Sequence, residues 1–115
     1  MKIVNLTPHA VNVKNENGEM IIFNPSGQIA RVETISNPKD KVNFDGFNGS
    51  FALYQTELKQ VVNLPPENED DGQTLYIVSA LVALNKKGDK RSICPHGLLR
   101  DEKGNIIGAE GFTNY

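Results

Sequence analysis

A chain of 115 residues, 38% hydrophobic and 23% charged, is long enough to bury one core and too short for two, so one domain over residues 1–115 is expected. A single cysteine excludes a disulfide framework, and twelve Lys plus Arg against fourteen Asp plus Glu exclude the strongly basic balance of a protein that coats duplex nucleic acid. Apolar runs such as Tyr76–Val78 and Ala80–Leu84 fall far short of the ~20 residues of a membrane span, and Asn5 and Thr7 interrupt the start too early for a signal peptide, so a cytoplasmic protein without membrane contact is expected.

Short β-type runs punctuated by Asn, Gly and Pro dominate the chain. Lys2–Leu6 reads as a first strand, broken at Thr7-Pro8-His9 because proline lacks a backbone donor. Val11 and Val13 alternate with polar neighbours, and Asn17-Gly18 predicts a type I′ hairpin turn into Met20–Phe23. After a turn at Asn24–Gly27, Ile29–Ile35 alternates as a strand. Ser36–Ser50, rich in Asn, Asp, Gly and Lys, reads as a surface excursion with room for a short strand around Val42–Phe44, followed by Phe51–Gln55 and Leu58–Val62 as two further strands or one bent strand.

Asn63–Gln73, with Pro65-Pro66 and four carboxylates, reads as a solvated acidic loop. Thr74–Val78 is the most continuously apolar strand and is expected in the middle of the sheet. Ser79 stands where an N-cap is favoured, and residues 80–87 suit a short helix closed by Gly88. Ser92–Cys94 reads as a strand, and Leu98–Arg100 pairs with Asn105–Gly108 across Asp101–Gly104. The fold class is therefore α+β: a compact, predominantly antiparallel β domain of six to eight strands with one short helix near residues 80–87.

Catalytic apparatus is not visible. GxxxxGK[ST], GxGxxG, GxSxG and HExxH do not occur, and carboxylates pair only in turn-like segments, so neither an enzyme nor a cofactor is expected. Cys94-Pro95-His96 sets a thiol and an imidazole two residues apart, but the proline and the lack of a second cysteine favour an incidental pair over a metal site or a nucleophile. The window 86–103 carries six basic and three acidic residues on an otherwise acidic chain, which suits either a small-anion site or a solvated charged face. Ser79, ending the apolar strand and opening the helix, fits anion binding or simple capping; Arg31 fits a surface ion pair or a forked anion donor.

Three stretches carry a resemblance: Ile3–His9, Pro25-Ser26-Gly27 with Ala30-Arg31-Val32, and Tyr76–Ala83 with Leu99–Gly108. Together they resemble a family of small proteins encoded by phages and prophages, with residues 36–62 as a variable segment. The resemblance implies no enzymatic activity. Phage proteins of this size include sponges that sequester the cyclic-nucleotide or ADP-ribose-derived signals of bacterial immunity, such as Thoeris and CBASS systems. The expectation is thus a non-enzymatic protein that binds a nucleotide-derived signal, with a pocket where Thr7 and His9 meet the helix start at Ser79 and where Arg31, Arg91 and Arg100 close over phosphates. The alternative is a phage structural or protein-binding component. Sheet edges in need of protection add the expectation of a homo-oligomer.

Overall fold

A computed structural model describes residues 1–115, and strands occupy roughly half of them. In chain order they are β1 (Lys2–Asn5), β2 (Val11–Lys14), β3 (Met20–Phe23), β4 (Arg31–Val42), β5 (Phe51–Val62), β6 (Thr74–Ile77), β7 (Ser92–Arg100) and β8 (Ile106–Thr113), with one helix, α1 (Ala80–Asn85). Six strands form one sheet in the order β1-β6-β7-β8-β2-β3, while β4 and β5 form a separate two-stranded ribbon. With a helix of only six residues, the fold is β-rich rather than α+β. No helix is long and apolar enough to cross a membrane.

Three of the five strand pairings in the main sheet are parallel. Strand β1 pairs with β6 in the register Asn5↔Ile77, β6 pairs with β7, and β2 meets β8 in parallel at Val13↔Ala109. Parallel neighbours on both sides of β6 explain its continuous apolar run, and Ile77 and Val78 are fully buried. Val78 joins Leu6, Ala30, Val82, Ala83 and Cys94 in one core cluster, and Val4, Val32, Val61, Leu64 and Tyr76 pack against it.

The first and last strands of the sheet meet through Asn5. Its backbone bridges Pro25, and its carbonyl accepts from Ser26 N at 3.0 Å. Its side chain donates from Nδ2 to the carbonyls of Phe23 (2.9 Å) and His9 (2.8 Å), and Oδ1 accepts from Thr7 N (2.9 Å) and lies 2.6 Å from Thr7 Oγ1. One buried amide therefore ties the end of β1, the end of β3 and the Thr7–His9 loop together, leaving the sheet nearly closed.

Turn chemistry corrects one expectation. Asn17 does not take positive φ, so the β2–β3 turn is not type I′; Gly18 N donates to Asn15 O, and only Gly18 (φ 86) is left-handed, the form of a type I turn followed by a glycine bulge. Asp101–Asn105 repeats the same design, with Gly104 N on Asp101 O and φ 84 at Gly104. In both turns the first side chain, Asn15 or Asp101, accepts two further backbone N–H groups.

The second difference is larger. Ser36–Ser50 is not simply an excursion: β4 runs on to Val42 and β5 starts at Phe51, giving a ribbon of two twelve-residue strands. From Glu33 to Gln60 every residue but Val42 is exposed. Both faces meet water, so the alternation that marks a half-buried strand is absent there. Pro38 is tolerated because each strand of a lone ribbon is an edge, and the register shifts beside it. This ribbon raises the radius of gyration to 18.2 Å, against about 13 Å for a globular chain of this length.

Removing the Asn5 side chain leaves two carbonyls and two donors of Thr7 without their partner. Asn5→Ala should therefore lower unfolding free energy by about 2–4 kcal/mol, and Thr7→Val by about 1 kcal/mol, read as midpoint shifts in urea. Equal losses from the two variants would contradict the closing role.

Candidate functional site

Four of the six anticipated site residues gather where β1 and β6 end. Leu6 N donates to Ile77 O at 2.8 Å, and Ala30 N donates to Leu6 O at 2.9 Å. Thr7 follows the first of these junction residues, Arg31 follows Ala30, and Ser79 lies two residues beyond Ile77, so the three share one end of the sheet with His9.

Their chemistry is partly spent. Thr7 Oγ1 lies 2.6 Å from Asn5 Oδ1 and 3.0 Å from His9 O, so its single proton serves the loop itself. Ser79 Oγ accepts from Val82 N at 3.3 Å, an ordinary N-cap on a helix of one and a half turns. By contrast, the Arg31 guanidinium and the His9 imidazole are exposed and have no hydrogen-bond partner within the chain. Arg31 opens β4 opposite Val62, at the root of the ribbon.

Arg91 and Arg100 lie elsewhere. Ser92 pairs with Tyr76, so Arg91 sits at the opposite end of β6 from Ser79. It is buried against Asp89, with Nη2 2.9 Å from Asp89 Oδ2 and Nε 3.1 Å from Oδ1. The same guanidinium donates to Pro65 O at 3.0 Å and lies over the Tyr76 ring at 5.6 Å. Arg91 thus clamps the segment after β5 onto the sheet. Hydrogen bonding to Arg91 holds the Asp89 carboxyl below its ordinary range, against the opposing effect of burial, and Asp89 raises Arg91 in return. Arg100 belongs to the β7–β8 hairpin, where Nη1 donates to Gly104 O at 2.8 Å. The three arginines do not converge.

Cys94 is buried, and burial pushes its thiol up from the ordinary value, so it is protonated at neutral pH, while His96 is exposed. Three cavities indent the surface. The largest, about 270 Å³, is an apolar groove along β2, β7 and β8; one of about 250 Å³ lies among Glu67, Asp70, Asp89, Lys90 and Arg91; one of about 180 Å³ lies beside Met1 and Leu75. Each is smaller than the ~300 Å³ at which pockets for drug-sized ligands begin. None is lined by Thr7, His9, Arg31 or Ser79.

Sequence reasoning passed over the most conspicuous surface. At the ribbon tip Phe44 and Phe47 pack edge-on against Phe51, with centroids 5.4 and 6.3 Å apart, yet the three remain 54%, 68% and 48% exposed. Ile35, Leu53, Tyr54 and Leu58 extend apolar surface down the strands. A signal was present: three of the chain's five phenylalanines fall within residues 44–51, among Asn, Asp and Gly that could never bury them locally. Compared with known proteins, the chain matches no family model, no curated protein and no solved structure.

The Asp89–Arg91 pair makes stability depend on pH with a definite sign. A carboxyl lowered in the folded state contributes stability above its unfolded value near 4 and loses it as pH falls through the folded value. Wild type should therefore lose more stability than Asp89→Leu/Arg91→Met between about pH 4 and pH 2. Asp89→Leu alone, leaving Arg91 buried and unpaired, should cost about 3–5 kcal/mol at neutral pH, more than the double variant, as urea midpoints would show.

Proposed function

We propose that this chain is a non-enzymatic binding protein whose working surface is the β4–β5 ribbon, and that the ligand of that surface is another protein. The supporting observation is the aromatic tip. Aromatic anchors clustered at the end of an exposed element are what dominate protein interfaces when desolvated, and exposed apolar patches of this kind mark contact sites. Arg31, Lys39, Lys41 and Lys59 balance Glu33, Asp40, Asp45 and Glu57 along residues 31–62, so the ribbon has no net charge to attract nucleic acid or an anionic membrane. With a photoreactive benzoylphenylalanine in place of Phe47, irradiation in cells should give covalent protein adducts; the same group at Glu16, in the β2–β3 turn, should not. Absence of protein adducts at Phe47 overturns the reading.

A second reading is favoured by the gathering of Thr7, His9, Arg31 and Ser79. Arg31 is an uncommitted forked donor at the same end of the sheet as the exposed His9 imidazole and the Ser79 hydroxyl, whose proton has no partner, and donors of this kind suit the phosphates of a nucleotide-derived signal, including the cyclic nucleotides and cyclic ADP-ribose derivatives of bacterial immunity. Because the cavities of one chain are small, such a pocket would be completed by a second subunit. A thermal-shift series with cyclic dinucleotides, cyclic trinucleotides and cyclic ADP-ribose isomers tests it. A true ligand at 100 times its Kd should add about 2.7 kcal/mol of apparent stability, and Arg31→Ala should weaken it about 10- to 150-fold. If none binds more tightly than about 10 μM, this second reading fails.

A further inference from the structure

Building on the protein-binding reading and naming its partner, we infer that the ribbon tip of one copy of this chain docks into the apolar groove between β2, β7 and β8 of a second copy. The first support is area. The chain exposes 8396 Å², whereas a globular monomer of 12.7 kDa exposes about 6,200 Å². The excess of about 2,200 Å² per chain exceeds the ~800 Å² per partner of a standard interface and falls in the range of obligate homodimers. Only 14 of 115 residues are buried, so the single chain carries more apolar surface than its own core consumes.

The ribbon also needs a partner for its own sake. Two strands with both faces in water are marginally stable at best, and packing against a further element is what stabilises them. A few cross-strand pairs, such as Ser36 Oγ with Thr56 Oγ1 at 2.6 Å and Phe44 against Phe51, hold the strands in register without removing either face from water.

The groove is of matching chemistry. Strands β2 and β8 share the register pair Val13↔Ala109, and Gly108 approaches Asn12 so closely that a Cβ there would lie 2.9 Å from the Asn12 carbonyl oxygen, which leaves the surface over this junction indented. Ala10, Val11, Pro95, Leu98, Ile106 and Ile107 line this groove, and Leu98 and Ile106 are more than half exposed. Its 270 Å³ accommodates one aromatic side chain rather than a nucleotide, and it presents no charged group to repel the tip. Since the tip segment and the groove are present in every chain, reciprocal exchange between two copies closes with two-fold symmetry and satisfies both.

The test uses the purified full chain. Sedimentation or light scattering at tens of micromolar should show a dimer or a larger closed oligomer. Phe47→Ser and Leu98→Asp should each weaken self-association tenfold or more; both positions are exposed, so circular dichroism should be unchanged. Chains carrying Phe47→Cys mixed with chains carrying Leu98→Cys should form disulfide-linked heterodimers on oxidation, Cys94 being buried. A monomeric wild type, an oligomer unaffected by both substitutions, or cross-linking of like variants without heterodimers would each overturn the proposal. If the wild type is monomeric while Phe47 still captures a different protein in cells, only the identity of the partner fails. If it is monomeric and captures nothing, the protein-binding reading fails with it.

Discussion

Everything in the main sheet depends on one buried amide. Asn5 is 3% exposed, and its side chain uses both hydrogens and the carbonyl oxygen at once, donating to His9 and Phe23 and accepting from Thr7. Few other side chains could do this, because the site needs a donor pair and an acceptor a fixed distance apart, and a hydrophobic residue of the same size would leave carbonyls of two separate segments unpaired in a low-dielectric interior. By joining β1 to the end of β3, the amide brings the two edges of the sheet together. It also sets the start of the ribbon, since Leu6, the next residue, receives Ala30 N just ahead of β4.

Polar and apolar groups are distributed in an unusual way as a result. The one buried ion pair, Asp89 with Arg91, is consumed in holding the Pro65–Pro66 segment, and the turn carboxylate Asp101 is held below its ordinary range chiefly by the Asn105 amide. Side chains able to do chemistry are thus largely occupied by structure. Arg31 and His9 aside, what is left uncovered is mainly apolar: the Phe44, Phe47 and Phe51 tip, and the groove along β2, β7 and β8. Exposed hydrocarbon yields its hydrophobic free energy only when it is covered, and that is what supports the proposed protein-binding role. The nearly neutral ribbon adds little electrostatic steering, so contact area rather than long-range attraction would select its partner.

Local physics is legible in the residue order wherever a segment is decided by its own neighbours. Ser79 as N-cap, Gly88 and Gly104 in left-handed positions, the break at Thr7-Pro8-His9 and the apolar strand ending at Val78 all follow from backbone chemistry within four or five residues. The parallel pairing of β1 beside β6 brought Thr7 and Ser79 to one end, as open sheets with parallel strands do. The length of β4 was not legible. Asn37, Pro38, Lys39 and Asp40 carry no strand propensity, and only their pairing with Leu53–Gln55 across the ribbon makes them extended.

By itself, then, the sequence determined a β-rich single chain, where its turns fall, its short helix and the absence of the familiar catalytic motifs, because these depend on composition and short-range sterics. Tertiary structure alone decided the role of each long-range polar group. Arg91 reads as a free anion donor until Asp89 and Pro65 close on it, and Asn5 reads as a polar interruption until Phe23 and His9 arrive at its amide. Whether a polar side chain is spent or available depends on partners up to 26 residues away, and loop closure over such distances is settled by the packing of the whole chain rather than by local preference.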